Sequence, residues 1–208
     1  MEILVNSATC YKNNNIIFKN ANIIINNSEI CIVMGPNGCG KTTFIKCLCK
    51  IENLDSGHIL IDNINIQDRK SNYLDNIIYI GHKNSLNDDL TVTENLEYLG
   101  AFDQTANKNS VNKIKDAMEY FDIYKYKDFM VSELSEGNKK KTSLARLILS
   151  QKKIWLLDEP LSFLDEIAVK NLINLFSKHQ KIGGIIVASS HYDFSDDVDN
   201  FKFFKMEN

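Results

Sequence analysis

Little in this chain of 208 residues marks a boundary or an anchor. It holds two prolines, Pro36 and Pro160, and a single tryptophan. No Gly/Ser-rich linker, internal repeat or low-complexity block divides it, so it reads as one domain over 1–208. No apolar run approaches the ~20 residues that a membrane-spanning helix needs. The opening MEILVNSATCYKNNN lacks a basic segment followed by an apolar core, so the sequence predicts no secretory signal and a chain that stays in the cytosol. A basic excess is missing too: 24 Lys and Arg stand against 27 Asp and Glu, a formal net charge of −3. That balance gives no positive field for nucleic acid, and no nucleic-acid partner is expected. The five cysteines include no CxxC pair. Cys47-x-Cys49 reads as small packing residues on a helix rather than half of a metal site.

What is present is the composition of an ordinary globule, 44% hydrophobic and 25% charged, with a clear order of patterns. Apolar, β-branched runs predict strands at 3–5, 22–26, 30–34 and 77–80, and 58–66 alternates around a turn at Asp62-Asn63. Between them, Phe44, Ile45, Leu48 and Ile51 fall at helical spacing and predict a core-facing stripe. From about 91 to 150 the signals turn helical. Thr91 and Glu94 stand at capping-box spacing, a second helix is expected near 110–125, and a third from about Glu136 to Ser150. KIWLLD, EIAVKNLINLFSKHQ and GIIVASS then read as strand, helix and last strand. The order predicts an α/β domain with a helical subdomain, about 84–145, inserted in it.

GPNGCGKT, residues 35–42, matches the P-loop pattern in full, directly after an apolar strand and directly before an amphipathic helix. Gly35, Gly38 and Gly40 let the chain wrap so that backbone N–H groups face a phosphate, with Pro36, Asn37 and Cys39 completing the turn. The helix that begins near Lys41 adds roughly half a unit of positive charge. Lys41 is expected to reach the β- and γ-phosphates, and Thr42 to ligate Mg²⁺. Thr43 lies in the same first turn.

IWLLDEP, residues 154–160, ends an apolar strand in two acids. Asp158 is placed to hold the Mg²⁺ water shell opposite Thr42. Glu159 is placed to orient or deprotonate an attacking water, help worth on the order of 10²–10⁴ in rate. A P-loop kinase has no use for a water-activating acid, so hydrolysis is the expected chemistry. Ser162-Phe163-Leu164-Asp165 opens the next helix, where a loop acid is suited to report across an interface. His191 follows IIVASS at the carboxyl end of a strand, where ligands bind in such sheets, and is a candidate contact to the γ-phosphate.

Leu134-Ser135-Glu136-Gly137-Asn138 resembles the ABC signature, usually LSGGQ, at the expected distance before the acids. With GPNGCGKT, the SFLD loop and His191, the chain resembles an ABC-transporter ATP-binding subunit over nearly its whole length. The resemblance implies a RecA-like P-loop core with an antiparallel β subdomain and a helical subdomain, binding ATP and Mg²⁺. It implies that Tyr11 stacks on adenine and that His82 takes the place of the Q-loop glutamine, near Mg²⁺. It implies further that Ser135 and Gly137 meet the nucleotide of a second copy, in a head-to-tail homodimer.

Two departures qualify the pattern. His82 puts an ionisable imidazole where the pattern has a neutral amide. Glu136 replaces a glycine of the signature, and a carboxylate about 6 Å from a phosphate charge costs about 3 kcal/mol at an effective dielectric of 20. Glu136 is therefore expected to point away. YIGHKNSLNDDLTVTENLEYL, SLARLILSQKKIWLLDEP with Trp155, and GGIIVASSH resemble the cytochrome c biogenesis, or haem-exporter, ATPases of the CcmA type. So does the short tail after the last strand. That resemblance implies integral membrane partners of the CcmB and CcmC type and a peripheral place on the cytoplasmic face of the inner membrane. No haem site is visible: there is no CxxCH, and the four histidines are scattered. The motifs alone also fit another ABC transporter. A non-transport ABC-type regulatory ATPase fits less well, since the chain lacks the tandem cassettes, coiled-coil insertions or basic arms of such proteins.

Overall fold

A computed structural model describes residues 1–68, 73–102, 110–191 and 198–206. Residues 103–109, within the expected helical subdomain, lie outside them. The described chain forms two compact units: Met1–Tyr79 with Lys153–Glu159 and Phe176–Asn208, and Ile80–Lys152 with Pro160–Leu175.

The first unit holds two sheets. β1 (Glu2–Lys12), β2 (Asn15–Asn26), β4 (Ser56–Ile61) and β5 (Ile64–Asn65) form one in the order β2-β1-β4-β5, every pairing antiparallel. The turn into β5 places Asp62 and Asn63 at φ of +50° and +63°, the left-handed pair that a tight hairpin requires. β1 and β2 are much longer than the runs at 3–5 and 22–26, because their outer halves carry polar residues that paired neighbours hold in the ladder. The second sheet has the order β6-β7-β8-β3-β9, with β3 (Ile30–Met34), β6 (Ile77–Ile80), β7 (Ile154–Leu157), β8 (Ile185–Ser189) and β9 (Phe201–Lys205). β8 and β9 both run parallel to β3, and β7 parallel to β8. β7 and β8 are buried along their whole length, as expected of strands covered on both faces.

The sequence pattern missed β9, taking GIIVASS as the last strand. FKFFK is partly exposed throughout, so it lacks the unbroken apolar run that identifies β3, β7 and β8. It is held instead by pairing with all of β3.

Helix α1 (Lys41–Leu48) packs its stripe into the apolar core of this unit. Phe44 is fully buried, with its ring 5.7 Å from Phe18 of the antiparallel sheet and 4.8 Å from Phe204 of β9. Ile51 does not continue the stripe. The helix ends at Leu48, Lys50 takes a positive φ of 56°, and Ile51 is exposed. Cys47 and Cys49 are buried and burial pushes both thiols up, Cys49 to about 12.

In the second unit, α2 (Val92–Phe102) opens on the expected capping box: the Glu94 N–H donates to Thr91 Oγ1 at 3.2 Å and the Thr91 N–H to Glu94 Oε2 at 2.8 Å. α3 (Ser110–Tyr120) stops short of 125, because Asp122 takes a left-handed φ of 54° and the Ile123 N–H turns back to the Met118 carbonyl. α4 (Glu136–Leu149) begins within the signature. Buried Asn95 pins the loop before α2, accepting the Asn87 N–H at 2.8 Å and donating to the Asn87 and Thr91 carbonyls, both at 3.0 Å. α5 (Glu166–Lys181) begins in the second unit and ends in the first.

Near the end of α5, His179 stacks on Trp155 with ring centroids 3.7 Å apart, and its Nε2 lies 3.1 Å from the Lys153 carbonyl. Burial holds the imidazole down to about 4, so it is neutral in the fold, whereas an unfolded histidine titrates near 6.5. Between those values the unfolded chain takes up a proton that the folded chain refuses. Stability from this residue is thus complete above about pH 6.5 and is lost as pH falls toward 4.

Two stability predictions follow from this packing. Phe44→Ala, opening a cavity beneath the P-loop helix, should cost about 3–5 kcal/mol in urea unfolding followed by Trp155 fluorescence. His179→Gln should lower the urea midpoint at pH 7.5 yet lose less of it than the parent chain between pH 6.5 and 5.

Candidate nucleotide site

The carboxyl ends of β3, β7 and β8 meet because of their register. Val33 pairs with Ser189 and Leu157 with Ala188, which brings the residues after β7 alongside the end of β8. Ligands of open parallel sheets bind outside these strand ends.

The P-loop leaves β3 at Gly35, with φ of +153°, and a Cβ there would lie 2.5 Å from the Met206 carbonyl oxygen just past β9. The unforeseen strand is therefore part of what requires glycine at this position. Gly40, with φ of +98°, precedes α1, and a Cβ on it would lie 2.9 Å from the Ile17 carbonyl oxygen. Gly40 supplies no side-chain cap and no acid stands in the first turn of α1. The first N–H groups of α1 have no intrahelical acceptor, and the helix's positive end is not neutralised from its own first turn. Pro36, Asn37 and Gly38 form an exposed rim, Cys39 is buried and Thr43 half-buried. Lys41 is buried, and its Nζ donates to the Gly35 carbonyl at 2.7 Å and the Pro36 carbonyl at 3.0 Å. The ammonium is thus held inside the loop.

Thr42 Oγ1 donates to the Asp158 carboxylate, 2.8 Å from one oxygen and 3.0 Å from the other. Asp158 is 1% exposed. Its Oδ1 also accepts from Ser189 Oγ at 2.7 Å. Tyr79 is pushed up to about 12 by burial and, to a lesser degree, by the Asp158 charge. Glu159 takes a left-handed φ of 47°, its N–H donates to Ser189 Oγ at 2.9 Å, and its Oε1 lies 3.2 Å from His191 Nε2. Ser189 did not stand out in the sequence. A serine in an apolar strand reads as filler, and only the register with β7 shows what its hydroxyl touches.

The oxygen set suits a hard divalent cation. Among the described residues no three His, Cys, Asp or Glu side chains cluster as a metal cage. Mg²⁺ commonly needs none, taking one or two carboxylates and filling its octahedron with waters and substrate phosphates. Thr42 and Asp158 beside the phosphate loop fit that pattern.

Tyr11 lies in the same unit, exposed near the end of β1, its N–H bound to the Asp55 carboxylate at 2.7 Å. His82, Ser135 and Gly137 belong to the second unit. His82 is exposed on the loop after β6. Ser135 caps α4, its Oγ accepting the Asn138 N–H at 3.3 Å, which leaves the hydroxyl proton for another acceptor. A Cβ on Gly137 would lie 2.8 Å from the Phe163 carbonyl oxygen. Glu136 turns its carboxylate to Lys139, 3.6 Å away on its own helix. Asp165, read in the sequence as a loop acid opening the next helix, caps α5 through the Ala168 N–H at 2.8 Å and pairs with Lys141 Nζ at 2.5 Å. That partner, with the cap second, holds its carboxyl below the usual carboxylate range.

A phosphate cradle joined through one buried carboxylate to a second acid beside an imidazole defines, on this sheet, a P-loop nucleoside triphosphatase. Residues 18–162 match the ABC transporter family model, and the chain belongs to that family as an ATP-binding, ATP-hydrolysing subunit. Its relatives include proteins described as cytochrome c biogenesis ATP-binding export protein CcmA. The one from Aliivibrio fischeri is 30% identical over 198 residues, 95% of this chain and 96% of the relative. That from Vibrio cholerae is 32% identical over 190 residues, 91% and 90% of the two chains. Among solved structures, an ATP-binding subunit of an ABC transporter superposes with a TM-score of 0.86 at 18% identity, covering 100% of this chain and 89% of that one. A dimeric bacterial ABC transporter cassette gives 0.81 at 23%, covering 98% and 94%. Cassettes of the family pair with one another and with membrane subunits. Among the described residues no helix is long and apolar enough to cross a membrane.

Proposed function

We propose that this chain is the ATPase of a haem export or delivery complex serving cytochrome c maturation. In this reading it is one nucleotide-binding domain with an inserted helical subdomain, and it works as a homodimer. It sits on integral membrane subunits of the CcmB and CcmC type, peripheral to the cytoplasmic face of the inner membrane. The observation that carries the reading is the end-to-end similarity to CcmA proteins, 30% identical over 95% of the chain in one case. The geometry of the acids supports the chemistry.

The loop amides of 35–43 and Lys41 hold the phosphates, and Tyr11 stacks on adenine. Thr42 and Asp158, with His82, would hold Mg²⁺, which when bound draws charge from the phosphate oxygens. Glu159 orients the attacking water and takes its proton. His191, 3.2 Å from that carboxylate, fixes its direction and contacts the γ-phosphate. Ser135 of the second copy donates its remaining hydroxyl proton to the same phosphate, and the Gly137 backbone approaches beside it. Glu136, turned to Lys139, keeps its charge off the nucleotide. Closing of the dimer on ATP and reopening after hydrolysis then move the membrane partners.

Lys41→Ala should abolish ATPase activity, whereas retained turnover would remove the cradle from the mechanism. Glu159→Gln should still bind ATP, lose at least about 10² in kcat, and run as a dimer by light scattering under saturating ATP; a monomer there counts against the shared site. For the pathway, cells carrying Lys41→Ala should lose covalently haem-stained c-type cytochromes while keeping the apoproteins. Normal holocytochrome would sink the haem assignment and leave the ATPase assignment standing.

A further inference from the structure

We infer that Ser189 is a positioning residue of the hydrolytic site, fixing the metal-side acid and the water-side acid relative to each other. The inference deepens the ATPase reading above and rests on it.

Ser189 ends β8 and is fully buried. Leu157 pairs with Ala188, so the next step of the register sets Asp158 beside Ser189. The hydroxyl is committed in both directions. It donates to Asp158 Oδ1 at 2.7 Å and accepts the Glu159 N–H at 2.9 Å. A single atom that both donates and accepts is a property of hydroxyls, which alanine lacks and a thiol supplies weakly.

The two bonds act on different things. The first, with the Thr42 hydroxyl on the other side, stops the Asp158 carboxylate from rotating about its χ2. The second holds the Glu159 peptide in its left-handed turn, φ of 47°, and that turn aims the side chain at His191. A line of contacts thus runs from Thr42 through Asp158 and Ser189 to the Glu159 backbone, and the Glu159 side chain ends 3.2 Å from His191. Ser189 makes its contacts to the two acids rather than to the phosphate loop. Its loss should therefore affect metal retention and the chemical step, and leave the loop's grip on nucleotide unchanged.

The test compares the full-length parent chain with Ser189→Ala, Ser189→Cys and Ser189→Thr. Three quantities are read: affinity for a fluorescent ATP analogue in EDTA, Mn²⁺ affinity of the nucleotide complex by electron paramagnetic resonance, and kcat with KM. Ser189→Ala should lower kcat about tenfold, the order expected for one lost buried hydrogen bond. It should weaken Mn²⁺ several-fold and leave EDTA affinity within about twofold. Threonine, keeping the hydroxyl, should recover most of both losses. Ser189→Cys, close in size but a weak hydrogen-bonder, should fall between, and it carries the test if the alanine variant does not fold. Unchanged kcat and Mn²⁺ affinity in Ser189→Ala would overturn the inference. So would a loss of EDTA affinity in step with a fall in melting temperature, which marks a purely structural residue. A parent chain that neither binds nor hydrolyses ATP would instead overturn the ATPase reading.

Discussion

Asp158 sets the terms for the rest of the site. It is a carboxylate with 1% exposure at the end of a wholly buried strand, and an ionised group in such a place costs several kcal/mol unless it is hydrogen-bonded. Two hydroxyls from other elements donate to it, Thr42 of α1 and Ser189 of β8. Satisfying the one charge therefore requires that α1 be seated and that β8 keep its register with β7. A slip of one residue in β8 would present Ala188 or Ser190 and turn the side-chain set to the other face. The apolar core secures that register through unbroken runs in β7 and β8 and through Phe44, wedged between Phe18 and Phe204. The polar site depends on the core, and the core's choice of register is visible in the polar site.

The second unit shows the same economy around the signature. Asp165 both caps α5 and takes the Lys141 ammonium from α4, so one side chain fixes the start of one helix against the flank of another. Gly137 approaches the Phe163 carbonyl so closely that no side chain fits. Glu136, one residue earlier, is mostly exposed and has Lys139 for a partner. The signature therefore tolerates a departure at 136 that it does not tolerate at 137, and the difference is steric.

Much of this was legible beforehand, for identifiable reasons. The strands at 30–34, 77–80 and 154–157 are short apolar runs with no competing reading, and the P-loop and acid pair carry fixed spacings. β9 was not legible, because an edge strand need be apolar only where it touches Phe44. Ile51 misled because helical spacing continues in the sequence after Lys50 has turned the chain. The pairing of Asp165 was not legible, since its lysine partner lies 24 residues away. Ser189 was invisible for a related reason: side-chain partners across strands follow from register, and register is not written in either strand alone. The unit containing His82, Ser135 and Gly137 was read from the order of motifs, which gives neighbours in the chain and not distances in space.

The left-handed backbone at Glu159 sends two adjacent carboxylates to different surroundings. In a continuing strand, residues 158 and 159 would point to opposite faces, and the second acid would leave the strand-end cluster. A glutamate at φ of 47° is instead uncommon and costs of order 1–3 kcal/mol, and it bends the path as the strand stops. The N–H turns into Ser189 and the carboxylate reaches His191. Asp158 stays buried beside the Thr42 and Ser189 hydroxyls, a setting compatible with the cation-side role proposed for it. Glu159 is left partly exposed beside the His191 imidazole, a setting compatible with the water-side role proposed for it. The strain is partly offset by the hydrogen bond from the Glu159 N–H to the hydroxyl at the end of β8, so the different settings of the two acids begin in the pairing of β7 with β8.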